Sequence, residues 1–279
     1  MNACDWRLGA SSCSFGSVEP EVFRAYAEQQ IQCMEISLGH EAVEEIDWKR
    51  TLALSREYGV ELWSFHLPFT PFSTVNPASP DREIRQATLR RMTELLARSS
   101  DAGIRLAVVH PSAEPNPAEE RSERLKYAAD SLAALAEAAD RLGITVAVED
   151  LPRTCIGHNS DELREILAAD SRLRVCFDTN HLTCEDNLHF IRALGDRIVT
   201  VHISDYDLID EKHWMPYEGK NDWVGIVTEL ENAGYAGPFM YEVSLGTPRA
   251  LTRARELRLS DFRPNYLACV HKRRADPIV

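Results

Sequence analysis

Eight short apolar runs punctuate the chain, and segments with helical spacing separate them. The runs are RLGASSC (7–13), CMEIS (33–37), ELWSFH (61–66), RLAVVH (105–110), TVAVED (145–150), RVCFD (174–178), IVTVHIS (198–204) and PFMYEV (238–243). Runs this short and this apolar suit strands buried on both faces. The intervening segments include PEVFRAYAEQQ, EIRQATLRRMTELLARSSDAG and SERLKYAADSLAALAEAADRLG. The third is rich in Ala and Leu, with Glu, Lys and Arg on its other face, as an amphipathic helix requires.

The punctuation agrees. Gly59, Gly103 and Gly143 each close a helical segment just before a strand, where the left-handed C′ position favours glycine. Ser160 is expected to cap the helix DELREIL, with Asp161 and Glu162 in its first turn, where the helix dipole favours negative charge. No low-complexity linker interrupts the alternation. Right-handed crossovers then give a parallel sheet covered by helices. Eight such units in 279 residues predict an α/β fold, a closed (β/α)8 TIM barrel forming one domain over 1–279. An open doubly wound sheet would call for a G-x-G-x-x-G turn near the start, and none is present.

Composition narrows the functional classes. The net charge of −13 opposes a polyanionic partner, and no Lys/Arg stripe offsets it, so nucleic acid is disfavoured. KRRA near the C-terminus is short and reads as a solvated tail. The seven cysteines are scattered without a C-x-x-C pair, which fits reduced thiols rather than a zinc ribbon or disulfide framework. No apolar run reaches the ~20 residues of a membrane span. MNACDWRLGA lacks the pattern of a secretory signal. The expectation is a cytoplasmic protein.

In a barrel of this kind the C-terminal strand ends converge on one mouth. There the sequence places His66, His110, Glu149, Asp178 with His181 just beyond, His202 and Glu242. Alone, such an Asp or Glu is commonly an N-cap or ion-pair partner, and such a His a hydrogen-bonded core residue. Together they are costly to bury without compensation, and a divalent cation supplies it. Glu149, Asp178, His202 and Glu242 come from four successive strands. Three carboxylates and an imidazole form an oxygen-rich site favouring Mn²⁺, Mg²⁺ or Co²⁺, with Zn²⁺ also open. Glu35 lacks comparable support and reads equally as an arginine's salt-bridge partner.

The motifs VAVEDLPR, CFDTNHL, HISDYD, HWMPYEGKNDW and GPFMYEV, in this order, resemble the sugar phosphate isomerase/epimerase branch of the xylose isomerase-like TIM-barrel superfamily. The resemblance covers essentially the whole chain. It implies a metal held by Glu149, Asp178, His202 and Glu242, with His181 touching substrate beside it. Tyr217 stands where the family has Gly before Glu218, a change expected to alter the loop because Tyr resists positive φ. Cys155 stands where ketose 3-epimerases carry a second, sugar-binding Glu, which argues against that narrower assignment and leaves Arg153 as a substitute contact.

The implied chemistry is proton abstraction next to a carbonyl through a metal-stabilised cis-enediolate, with Glu149 and Glu242 as the two proton-transfer groups. His66, His110, His181, His213, Glu218 and Arg153 are expected to bind the sugar or sugar phosphate. Trp63, Phe69, Phe72 and Trp214 are candidate walls. Asp205 and Asp207 are candidates to order the loop after His202 or to bond its second nitrogen. SLGTPRA offers Gly246, Thr247 and Arg249 to a phosphate. Self-association into a homo-oligomer is left open.

Two rivals remain. Endonuclease IV-like barrels carry a trinuclear zinc site and act on abasic DNA. Their ligand positions match His66, His110, Glu149, Asp178, His181, His202, Glu211, His213 and Glu242, with Glu211 in place of an Asp. The acidic charge and the EGKNDW continuation weigh against that reading. A non-catalytic sugar- or metal-binding barrel ranks behind, because both Glu149 and Glu242 are present.

Overall fold

The computed structural model describes residues 5–247, 251 and 253–278. Each of the eight apolar runs forms a strand: β1 Leu8–Ser11, β2 Cys33–Ile36, β3 Glu61–His66, β4 Leu106–Val109, β5 Thr145–Glu149, β6 Arg174–Asp178, β7 Ile198–His202 and β8 Phe239–Tyr241. The helices between and after them are α1 Pro20–Glu28, α2 Trp48–Tyr58, α3 Arg82–Ser100, α4 Arg121–Asp140, α5 Ser160–Ala168, α6 Asn187–Leu194, α7 Trp223–Asn232 and α8 Phe262–Val270.

All strand pairs are parallel, in the order β7-β6-β5-β4-β3-β2-β1-β8. The remaining gap is bridged just past β7: the Ile203 amide donates to Met240 O at 2.8 Å, and the Glu242 amide donates to Ile203 O at 3.1 Å. The sheet is thus an almost closed TIM barrel. Its strands are buried on both faces because helices cover the outside and side chains fill the inside.

Local signals explain the register. Gly59, Gly103 and Gly143 take φ of +68°, +79° and +67° at the helix-to-strand turns, the conformation that costs glycine least. The α5 cap is shifted by one residue from expectation. Asn159 accepts the Glu162 amide at 2.9 Å, and Ser160 is the first helical residue. Asn is as good a cap as Ser, and here it is the residue that keeps extended backbone geometry.

Candidate active site

The C-terminal strand ends put one imidazole at the centre of a buried carboxylate cluster. His202 Nδ1 lies 2.9 Å from Glu149 Oε1, 2.9 Å from Glu242 Oε2 and 3.8 Å from Asp178 Oδ2. One ligand atom from each of these four residues lies within 4.8 Å of the others. Strand alternation produces the arrangement: each residue ends or just follows its strand and points to the barrel axis.

Electrostatics divide the carboxylates. Burial, then the charges of Glu242 and Glu149, push the Asp178 carboxyl well above its ordinary range. Burial also opposes ionisation of Glu149, but the charge of His202 and the hydrogen bonds from His110 and His202 outweigh it and hold Glu149 well below the usual range; burial keeps His110 itself toward the neutral form. Glu242 is likewise held low, chiefly by His202. Asp178 Oδ2 is buried without a hydrogen-bond partner, a costly state for a carboxylate oxygen. A cation bound by the quartet would satisfy it, so the donor set fits a hard divalent ion.

Three further histidines are oriented by backbone acceptors. His66 Nδ1 lies 2.9 Å from Leu67 O, His181 Nδ1 2.8 Å from Asp150 O, and His213 Nδ1 3.1 Å from Glu242 O. Carbonyl oxygens only accept, so in each ring Nδ1 carries the proton and Nε2 is left to other partners. His66 Nε2 meets Glu149 Oε2 at 3.0 Å. His181 Nε2 lies 3.7 Å from Asp178 Oδ2 and 3.5 Å from Glu211 Oε2. His110 Nε2 adds a contact to Glu149 Oε2 at 3.1 Å. Burial alone would lower the His66 pKa, but the hydrogen bond and charge of Glu149 bring it up to about 9.

A second group that could hold an ion, His181, Glu211 and His213, also has its ligand atoms within 4.8 Å of one another. It adjoins a cavity of about 130 Å³ lined by His66, Phe69, Phe72, His110, Arg153 and Glu242, among others. Phe69 stacks on His110, ring centroids 4.2 Å apart. Cys155 also lines this cavity.

Other candidates fall elsewhere. Glu218 does not line the cavity. Arg253 grips its carboxylate at 2.6 and 2.7 Å, and the Met215 amide donates to it at 2.9 Å. Arg153 reaches the rim but is committed to Glu114 at 2.6 Å, Asp210 at 2.8 Å and Glu211 at 3.2 Å. Trp63 donates to Thr200 Oγ1 and lies beneath Arg7, at the other end of the barrel. Trp214 is buried behind the loop, where its backbone pairs with Asp205. Arg249 lies outside the described residues.

The loop expectation at Tyr217 is corrected. Tyr217 adopts φ +75° despite its side chain, so the backbone keeps the turn a glycine would make. Asp205 holds it there by accepting the Tyr217 amide at 2.9 Å. Arg153, Leu208 and His213 also have positive φ, and this clustering of strained backbone is typical of functional loops.

Residues 18–260 match the family described as Xylose isomerase-like TIM barrel. The chain belongs to that family. Uncharacterized protein MJ1311 of Methanocaldococcus jannaschii is 27% identical over 203 residues, covering 70% of this chain and 68% of its own. A D-tagatose 3-epimerase-like protein superposes with a TM-score of 0.79 at 23% identity, covering 95% of this chain and 98% of that one. A 3-keto-D-glucoside 4-epimerase from E. coli gives 0.76 at 18% identity, covering 96% and 100%. Likeness at these identities is likeness of fold.

In this xylose isomerase-like barrel the partner of the second His202 nitrogen is Glu35, not Asp205 or Asp207. Nε2 lies 3.1 Å from Glu35 Oε2 and 3.0 Å from Oε1. Glu35 has no arginine partner among its described contacts. Instead Ser64 Oγ donates to it at 2.8 Å. The available signal was a lone acidic residue inside the apolar run CMEI. Asp150 has no comparable signal in the sequence. It is fully buried, with Oδ1 accepting the Asp178 amide at 2.7 Å. Burial, then the nearby charge of Asp178, pushes its carboxyl well above the ordinary range.

Proposed function

We propose that this barrel is a divalent-cation-dependent isomerase or epimerase of a small sugar or sugar phosphate, with residues 1–279 acting as one catalytic domain. The observation that carries the reading is the approach of Glu149 and Glu242 to one point, each with an oxygen 2.9 Å from His202 Nδ1. The sugar epimerases among its structural relatives support it by analogy of fold.

Glu149, Asp178, His202 and Glu242 would hold the cation. When bound, it supplies Lewis-acid polarisation of a substrate carbonyl. One of the two glutamates takes the proton from the carbon beside that carbonyl onto a carboxylate oxygen, and the C–H electrons move toward the carbonyl to give an enediolate. The other glutamate, when protonated, delivers a proton to the opposite face, which epimerises the carbon. Return to the neighbouring carbon, with transfer of the hydroxyl proton between oxygens, isomerises aldose and ketose. His66 and His110 both contact Glu149 Oε2 and steady that oxygen. His181, His213 and Arg153 stand where substrate hydroxyls would enter. Manganese, magnesium and cobalt suit the hard donor set best.

The test is solvent deuterium incorporation into a panel of ketoses and aldoses, free and phosphorylated. Wild type is expected to label one carbon of its substrate, and Glu149→Gln and Glu242→Gln are each expected to lose the activity by at least ~100-fold. A panel with no labelling in the manganese-loaded wild type overturns the reading.

A second reading is favoured by one observation, the additional triad of His181, Glu211 and His213. Three metal sites at this mouth would suit a nuclease acting on abasic DNA. Glu114, Asp210 and Glu211 at the rim, with Arg153 already paired to all three, make that mouth inhospitable to a phosphate backbone.

A further inference from the structure

Of the four rings oriented by acceptors, His202 is held differently from the rest. His66, His181 and His213 are held through Nδ1 by backbone carbonyls. His202 is held through Nε2 by a carboxylate and turns Nδ1 to the cluster. A backbone carbonyl stays wherever the strand puts it. The His202 arrangement instead depends on one side chain, Glu35, from β2.

Both ring nitrogens of His202 face carboxylates, Nδ1 those of Glu149 and Glu242 and Nε2 that of Glu35, so a cation that takes the Nδ1 lone pair leaves the ring proton on Nε2. The Glu35 carboxylate accepts only. The Ser64 hydroxyl donates to its Oε2 at 2.8 Å, which orients that carboxylate without satisfying it completely. His202 Nε2 therefore carries a proton toward Glu35. The lone pair that remains available to a cation is on Nδ1, which faces Glu149, Asp178 and Glu242. All three members of the relay are buried, so water does not substitute for any of them.

We infer that Glu35 is a positioning residue for the cation site: supported by Ser64, it fixes the tautomer and ring angle of His202 so that Nδ1 is presented to the other three ligands. The inference rests on the reading above that this quartet holds a cation. A carboxylate bonded to the far nitrogen of a ligating histidine also makes that ring a stronger donor, so Glu35 should raise cation affinity as well as aim the ring.

The experiment is Co²⁺ titration of the metal-free chain, followed by visible absorption and calorimetry, for wild type, Glu35→Gln, Glu35→Leu and Ser64→Ala. In Glu35→Gln the side-chain amide oxygen can still accept the Nε2 proton, so this variant is expected to keep the wild-type absorption bands with about tenfold weaker binding. Glu35→Leu removes the acceptor and is expected to shift the bands and weaken binding about 100-fold. Ser64→Ala is expected to fall between wild type and Glu35→Gln. Unchanged affinity in the Glu35 variants, with wild type binding Co²⁺, overturns the inference. Should Glu35→Leu fail to fold, Glu35→Gln decides on affinity alone. Failure of wild type itself to bind Co²⁺ removes the cation reading instead, so the two failures are distinguishable.

Discussion

The Trp223 indole N–H donates to Asp205 Oδ2 at 2.8 Å, tying the first residue of α7 back to the loop that leaves β7. The same carboxylate accepts the amides of Tyr206 at 2.9 Å, Tyr217 at 2.9 Å and Asn221 at 3.1 Å. One buried aspartate therefore organises a loop of some twenty residues carrying Glu211 and His213. Asp205→Ala would orphan several buried donors at about 1–3 kcal/mol each. The expected loss is about 3 kcal/mol or more in urea denaturation of the metal-free chain, and a loss below about 1 kcal/mol would contradict this account.

Gly219 offers an independent check of the same knot. A Cβ at this position would collide with Asp205 Oδ1 and with the Tyr206 carbonyl oxygen. Its backbone does not have positive φ, so the constraint is contact alone. Gly219→Ala should destabilise by about 1–3 kcal/mol. Combined with Asp205→Ala, the two losses should sum to less than their separate values, since each disrupts the same contact. Full additivity would show that Gly219 answers to something else.

Cation binding at the quartet should depend on pH through His66. Its pKa of about 9 in the metal-free chain exceeds the ordinary ~6.5, so the imidazolium is present at pH 7 and pairs with Glu149. The stabilisation it contributes is complete below about 6.5 and lost as pH rises through about 9. A cation binding Glu149 competes with that proton. Mn²⁺ affinity should therefore rise between pH 7 and about 9, with proton release detected by calorimetry in buffers of different ionisation enthalpy. His66→Gln should flatten the rise. A wild-type affinity that is level over this interval would exclude the competition.

Arg153 bridges two loops at the rim, pairing with Glu114 on the loop after β4 and with Asp210 and Glu211 on the loop after β7. The guanidinium is about a third exposed, so Arg153→Ala should cost less than about 1 kcal/mol of global stability. Its local effect should be larger: faster amide exchange across residues 207–213, with the strands unchanged. Equal exchange in wild type and variant would remove Arg153 from this role.

The sequence was most informative where one physical rule dominates. Continuous apolar runs announced all eight strands, and glycine marked the turns after α2, α3 and α4, because neither feature depends on distant residues. Glu149, Asp178, His202 and Glu242 were legible as a group because strand ends in a barrel share a mouth. Glu35 was not, because its value comes from a bond to His202, a residue 167 positions away. Glu218 shows the same limit: the Arg253 that pairs with it lies 35 positions along the chain. Tyr217 shows the converse, where a local preference against positive φ yields to the Asp205 bond.

The number of cations per chain separates the two functional readings. A single ion on the quartet engages Glu149 but leaves His213 free, since His213 belongs only to the group with His181 and Glu211. Elemental mass spectrometry should then find about one Mn, Co or Mg per chain, lost in Glu149→Gln and retained in His213→Ala. Three zinc ions per chain would draw on the quartet, on His181, Glu211 and His213, and on a third group, His66, Glu149 and His202, that shares two residues with the quartet; His213→Ala would then lower the count and Glu149→Gln would lower it further. The rim carboxylates bear on the outcome, because Arg153 draws Glu211 Oε1 to 3.2 Å and competes with any ion for that residue. The expected result is therefore one ion, with the second group contributing donors to substrate hydroxyls. Three ions, reduced by His213→Ala, would replace the sugar panel with abasic DNA as the substrate to assay.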